Sequence, residues 1–119
     1  MPLPASNLYP PFNVVRLSHL ELGVVDLGRS KAFWADTLGL QITHENGDLL
    51  TLRGMEERNH HSVILKKQAA PSANFLVFKV YSEQDLDRAH AWFRARGQQA
   101  EWVERPWQDR TLRVSDPQG

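Results

Sequence analysis

The sequence contains no cysteine. Disulfides, thiolate metal sites and thiol nucleophiles are therefore excluded. It also has no excess charge of either sign, because Lys+Arg and Asp+Glu both number 14. The basic residues Arg16, Arg29, Arg53, Arg94 and Arg113 are scattered. No net field draws the chain to nucleic acid or to an anionic membrane, and neither is expected as a partner. No apolar run approaches the length of a membrane span. Residues 1–13 lack the charged start and apolar centre of a signal peptide. Pro2, Pro4, Pro10 and Pro11 make this stretch a Pro-rich arm, and the chain is expected to be cytoplasmic. No P-loop, dinucleotide fingerprint, nucleophile elbow or metalloprotease helix occurs. What remains is one compact domain of 119 residues whose five histidines are the main source of metal chemistry.

Residues 14–26 organise the rest. Leu20, Leu22 and Val24 alternate with His19, Glu21 and Gly23, which predicts a strand with an apolar face and a face pairing an imidazole with a carboxylate. Asp26 can cap the next element. Residues 29–38 carry Ala32, Phe33 and Leu38 at helical spacing, and Gly39 suits a left-handed C-terminal position. Strands are predicted at 40–45 and 49–53, joined by Asn46-Gly47-Asp48 as a type I′ turn. A further strand is predicted over 60–66. After a linker, 68–74, the order restarts. A strand at 75–80 precedes a helix that opens on the capping box Ser82-x-x-Asp85, carries Leu86, Ala89 and Phe93, and closes at Gly97. Strands at 98–104 and 110–115 and a turn at 116–119 follow.

The two halves overlay. His19 to Val24 matches Phe75 to Val80, Trp34 and Gly39 match Trp92 and Gly97, and Thr51-Leu52-Arg53 matches Thr111-Leu112-Arg113. The shared order is strand–helix–strand–strand. The first unit, 14–67, has a fourth strand. The second, 75–119, stops before its own, which leaves an unpaired edge. The expectation is a fragment, or a polypeptide that borrows a strand.

The wording resembles the vicinal oxygen chelate superfamily of glyoxalases, bleomycin-resistance proteins and extradiol dioxygenases. The resemblance rests on His19 on an opening strand, then Asp26-Leu27-Gly28-Arg29-Ser30-Lys31-Ala32-Phe33-Trp34, ending Leu38-Gly39-Leu40. Residues 56–65 and 112–119 look like the amino-terminal half of extradiol dioxygenases of the homoprotocatechuate 2,3-dioxygenase kind. The resemblance implies an α+β fold of tandem βαβββ units, forming a curved mixed-sheet cup with helices on its convex side and lacking the last strand of the second unit. It implies a metal held by His on one first strand, His or Glu on the next, and Glu on a last strand. Such a site leaves positions open for a catecholate and O₂, and the ring opens beside the hydroxyls.

By the same resemblance, His19 matches the first ligand, Phe75 falls at the second, and the third would lie beyond Gly119. The expected role is an amino-terminal domain that binds no metal and is inactive alone. The parent enzyme would hold Fe(II) or Mn(II) in a carboxyl-terminal catalytic domain and act on a small aromatic substrate. A homo-oligomer is also expected. The rivals are a stand-alone binding module of the bleomycin-resistance type and a glyoxalase-like metal-dependent isomerase or lyase.

Other residues have plainer readings. His60 and His61, as neighbours on a strand, should point to opposite faces. His44 and His90 have no ligand spacing, and His90 is read as partly exposed. Phe33, Trp34, Trp92 and Phe93 read as core between helices and sheet. Trp102 is a candidate for the cup lining and Trp107 sits in a turn; an exposed Trp pair would mark an interface with a missing domain.

Overall fold

The computed structural model describes residues 2–6 and 8–117. The element order is β1 (Val14–Val24), α1 (Leu27–Lys31), a π-helical stretch (Ala32–Thr37), β2 (Gln41–Glu45), β3 (Leu49–Arg53), β4 (Val63–Lys67), β5 (Ser72–Val80), α2 (Glu83–Ala95), β6 (Ala100–Val103) and β7 (Thr111–Val114). The fold is α+β. Five strands form one mixed sheet in the order β2-β3-β4-β1-β5, and β6 and β7 form a second, two-stranded sheet. The chain divides into two compact units, Arg16–Lys79 and Met1–Val15 with Val80–Gly119. β5, which opens the second sequence repeat, is thus hydrogen-bonded into the sheet of the first.

In the 16–79 unit, β4 lies between β1, which it pairs in parallel with Leu22 opposite Leu65, and β3, which it pairs antiparallel with Leu50 opposite Leu65. One face of this sheet carries the core. Leu50, Leu52, Val63 and Leu65 are buried, and Leu20, Leu22, Val24, Leu27, Trp34, Ala35 and Leu40 pack against them. Asp26 caps α1 by accepting from the Arg29 N–H, and Gly39 takes φ +80°.

The predicted 29–38 helix begins two residues earlier and widens after Lys31. The Leu38 N–H reaches back to the Phe33 carbonyl at 3.0 Å, five residues away. That wider turn rotates the apolar stripe. Trp34 and Ala35 face the core, whereas Phe33 and Leu38 are each 51% exposed, against the expectation for both.

The β2–β3 turn also differs from the expectation. Gly47 is not among the residues with positive φ, so the connection is not type I′. Instead the Asn46 Oδ1 accepts from the N–H groups of Asp48 and Leu49, and the Asn46 N–H donates to the Leu49 carbonyl. The side chain supplies the turn that the backbone would otherwise make.

In the other unit, α2 opens as the capping box predicts, with the Ser82 Oγ accepting from the Asp85 N–H. Asp85 is fully buried and also ties down the arm, since its Oδ1 accepts from the Asn13 N–H at 2.9 Å and from the Asn13 amide. Phe12 packs its ring on Trp92 and Phe93. Gly97 closes the helix at φ +72°. Trp102 stacks on His90 of α2 and lies under the Arg110 guanidinium. Its ring is therefore packed against a residue of the helix, and β6 pairs Trp102 with Leu112 of β7. The turn predicted at 116–119 lies partly outside the described residues.

Candidate functional site

The face of β1 opposite the leucines is the one with chemistry, and it is closed. His19 is 3% exposed and Glu21 6%. Each has a covering side chain from elsewhere in the 16–79 unit. The His61 ring meets His19 edge to face, with centroids 4.3 Å apart. The Asn74 amide donates to the Glu21 carboxylate at 2.9 Å. Over Gly23 lies the Gln68 amide, which also accepts from Asn74; a Cβ at Gly23 would stand 2.1 Å from the Gln68 Nε2. Glycine leaves this strand position open for another side chain to cross it.

The His61 cover is held by the segment before β4. Residue 60 lies in a bend and residue 61 in irregular backbone ahead of the strand, which begins at Val63. Strand alternation therefore does not apply to them. Their Nδ1 atoms approach to 3.0 Å instead of pointing apart. A hydrogen bond between two Nδ1 atoms needs one to donate and the other to accept, so at least one ring is neutral. Burial, and after it the electrostatic influence of His44 and Arg53, pushes the His60 imidazole below its ordinary value.

Further back, Glu57 anchors the loop. Its carboxylate accepts from the Asn59 and Arg58 N–H groups and pairs with Arg16 of β1 at 2.6 Å. The Asn59 N–H hydrogen bond, then the Arg16 guanidinium, hold the Glu57 carboxyl below the usual carboxylate range. Lys79 of β5 donates to the Asn59 Oδ1 at 2.7 Å, and the Ser62 Oγ accepts from the Gly54 N–H.

This donor set does not fit the metal that the resemblance implies. Two imidazoles and a carboxylate would have to converge on one point with open positions beside it. Here Glu21 is engaged by Asn74, and His19 by the Ser18 hydroxyl at 3.0 Å and the His61 ring. Among the described residues no three His, Asp or Glu side chains are grouped to hold a metal ion. Since Asn74 reaches Glu21, alternation along β5 directs Phe75 to the opposite face. Asn74 is the β5 residue that reaches Glu21, and the apolar Leu76 and Phe78 of the same strand are exposed.

The sequence reading missed the covering trio of His61, Gln68 and Asn74. Gly23, inside an otherwise regular strand, was the available signal of a close approach. His44 and His90 are both half-buried. Trp107 adopts φ 59° in its turn and is 47% exposed.

Residues 16–119 match the family model described as Glyoxalase/Bleomycin resistance protein/Dioxygenase superfamily. The chain belongs to that superfamily. Its extradiol dioxygenase-like character comes from its neighbours within it. It superposes on homoprotocatechuate 2,3-dioxygenase from Brevibacterium fuscum in complex with 3,4-dihydroxyphenylacetate with a TM-score of 0.83 at 31% identity, covering 93% of this chain and 36% of that one. A second structure, an extradiol ring-cleaving dioxygenase from B. fuscum, gives 0.84 at 31% identity over 95% of this chain and 32% of that one. By sequence, the chain is 26% identical over 95 residues to a metapyrocatechase from Geobacillus stearothermophilus and 22% identical over 91 residues to a manganese-dependent 2,3-dihydroxybiphenyl 1,2-dioxygenase from Geobacillus genomosp. 3. These matches cover 80% and 76% of this chain but 29% of each relative. The superfamily domain described here thus spans under a third of the length of those two relatives. No helix among its described residues is long and apolar enough to cross a membrane.

Proposed function

We propose that this chain serves as the amino-terminal, non-metal-binding domain of an extradiol ring-cleavage dioxygenase acting on catechol-type aromatics. The observation that carries the reading is the closed polar face of β1. At the place where the superfamily wording puts a first metal ligand, His19 is packed under His61, and Glu21 beside it is hydrogen-bonded to Asn74. The near-complete cover of this chain on about a third of an extradiol dioxygenase supports the same reading.

In this role the chain contributes folding and domain contacts. A carboxyl-terminal catalytic domain, or another subunit, would bind Fe(II) or Mn(II) and the catechol. Cytoplasmic location and homo-oligomerisation are part of the proposal. The test is oxygen uptake by the purified chain with 3,4-dihydroxyphenylacetate and added Fe(II) or Mn(II). Background rates are expected; turnover that scales with the concentration of this chain would overturn the reading.

A further inference from the structure

The β2–β3 tip carries an arrangement that the proposed function does not use. Asn46 is exposed and is followed by Gly47, where even an added Cβ would meet nothing within 4 Å. The Asn46 Oδ1 holds two backbone donors, the Asp48 N–H at 2.8 Å and the Leu49 N–H at 2.9 Å. The Nε2 of His44 lies 3.4 Å from the Asn46 Nδ2. A carbonyl oxygen with two fixed N–H donors, an amide nitrogen beside an imidazole, and an unhindered backbone nitrogen next in the chain are the parts of an acyl-transfer site.

We propose that this tip is a self-modification site, at which the Asn46 side chain cyclises onto the Gly47 nitrogen and loses its amide as ammonia. The Gly47 nitrogen attacks Cγ of Asn46. The new N–Cγ bond forms as the carbonyl electron pair moves onto Oδ1, where the Asp48 and Leu49 N–H groups stabilise it. The proton of the Gly47 amide goes to solvent. Collapse breaks the Cγ–Nδ2 bond; the His44 ring, whose Nε2 accepts from the amide nitrogen at rest, takes a proton from solvent and passes it to the departing nitrogen. Water opens the resulting succinimide at either carbonyl, giving aspartate or isoaspartate.

The two products differ in consequence. Aspartate keeps an acceptor for the Asp48 and Leu49 N–H groups and adds a charge between Glu45 and Asp48. Isoaspartate adds a backbone carbon and breaks the register that the Asn46 N–H sets with the Leu49 carbonyl.

The chain provides its own controls, since Asn59 and Asn74 are followed by His60 and Phe75, whose side chains hinder the same attack. The test ages the full chain in mildly alkaline buffer and follows each asparagine by peptide mass mapping and enzymatic isoaspartate methylation, with Asn46→Asp as the product standard. Asn46 should convert several-fold faster than Asn59 or Asn74. His44→Gln and Gly47→Ala should each slow it several-fold, with the melting temperature of each variant recorded so that a change in fold is told apart from a change in chemistry. Conversion of Asn46 no faster than Asn59 and Asn74, or an unchanged rate in His44→Gln, would overturn the proposal.

Discussion

Thr51-Leu52-Arg53 and Thr111-Leu112-Arg113 are the same three residues in two settings. In β3, Thr51 and Leu52 are completely buried, and the Thr51 hydroxyl meets that of Thr43 at 2.8 Å. In β7, Thr111 and Leu112 are half-buried, and the Thr111 hydroxyl donates to the carbonyl of its near neighbour Asp109. β3 has β2 on one side and β4 on the other, whereas β7 is hydrogen-bonded to β6 alone among the described strands. The burial of a strand residue is conferred by its neighbours. A repeat detected in sequence predicts the element and not its environment.

The largest expected effect breaks that comparison directly. Leu52→Ala should cost about 2–5 kcal/mol because it opens a cavity among Leu50, Val63 and Leu65. Leu112→Ala should cost roughly 1 kcal/mol or less, having less buried area to lose. Urea unfolding of both variants measures the difference. Equal losses would mean that Leu112 is as enclosed as Leu52.

Next comes acid. The Ser82 hydroxyl, and then the Asn13 N–H, hold the Asp85 carboxyl below its ordinary value, with Arg88 adding a smaller pull. Because the folded value lies below the unfolded one, the contribution of Asp85 is complete above the ordinary carboxylate range. It is lost as the pH falls through the lowered folded value. Asp85→Asn should flatten the acid limb of a stability–pH profile read near Trp92, where Phe12 packs. In the other unit, His60 acts near neutral pH. Its stabilisation is complete above 6.5 and declines as the pH falls from there through the lowered folded value.

Gly23→Ala should have a smaller effect. The added methyl displaces the flexible end of Gln68 and breaks its contact with Asn74, at a cost of about 1 kcal/mol. Most of that loss should return in the double variant Gly23→Ala, Gln68→Ala. Smallest of all, Arg16→Ala removes a pair whose arginine is 50% exposed, and should change stability by about 0–1 kcal/mol.

Local chemistry was legible wherever one residue type decides the outcome. The Ser82 cap, the left-handed Gly39 and Gly97, and the β3 limits all follow from such residues. The polar alternation of His19, Glu21 and Gly23 was equally plain. The cover over that face was not, because His61, Gln68 and Asn74 lie far from it in sequence and on segments with no periodicity of their own. The π-helical turn escaped as well. A single extra residue per turn leaves no distinct residue type behind, yet it decides that Trp34 rather than Phe33 meets the core. Asp85 read only as a capping residue, and its second role waits on Asn13 at the other end of the chain.

The central claim is that the polar face of β1 is a packed layer and not a metal centre. Equilibrium dialysis of the purified chain against Fe(II) or Mn(II), with metal quantified per chain, tests it most directly. The account predicts substoichiometric metal, unchanged in His19→Ala. One metal ion per chain, lost on that substitution, would contradict it.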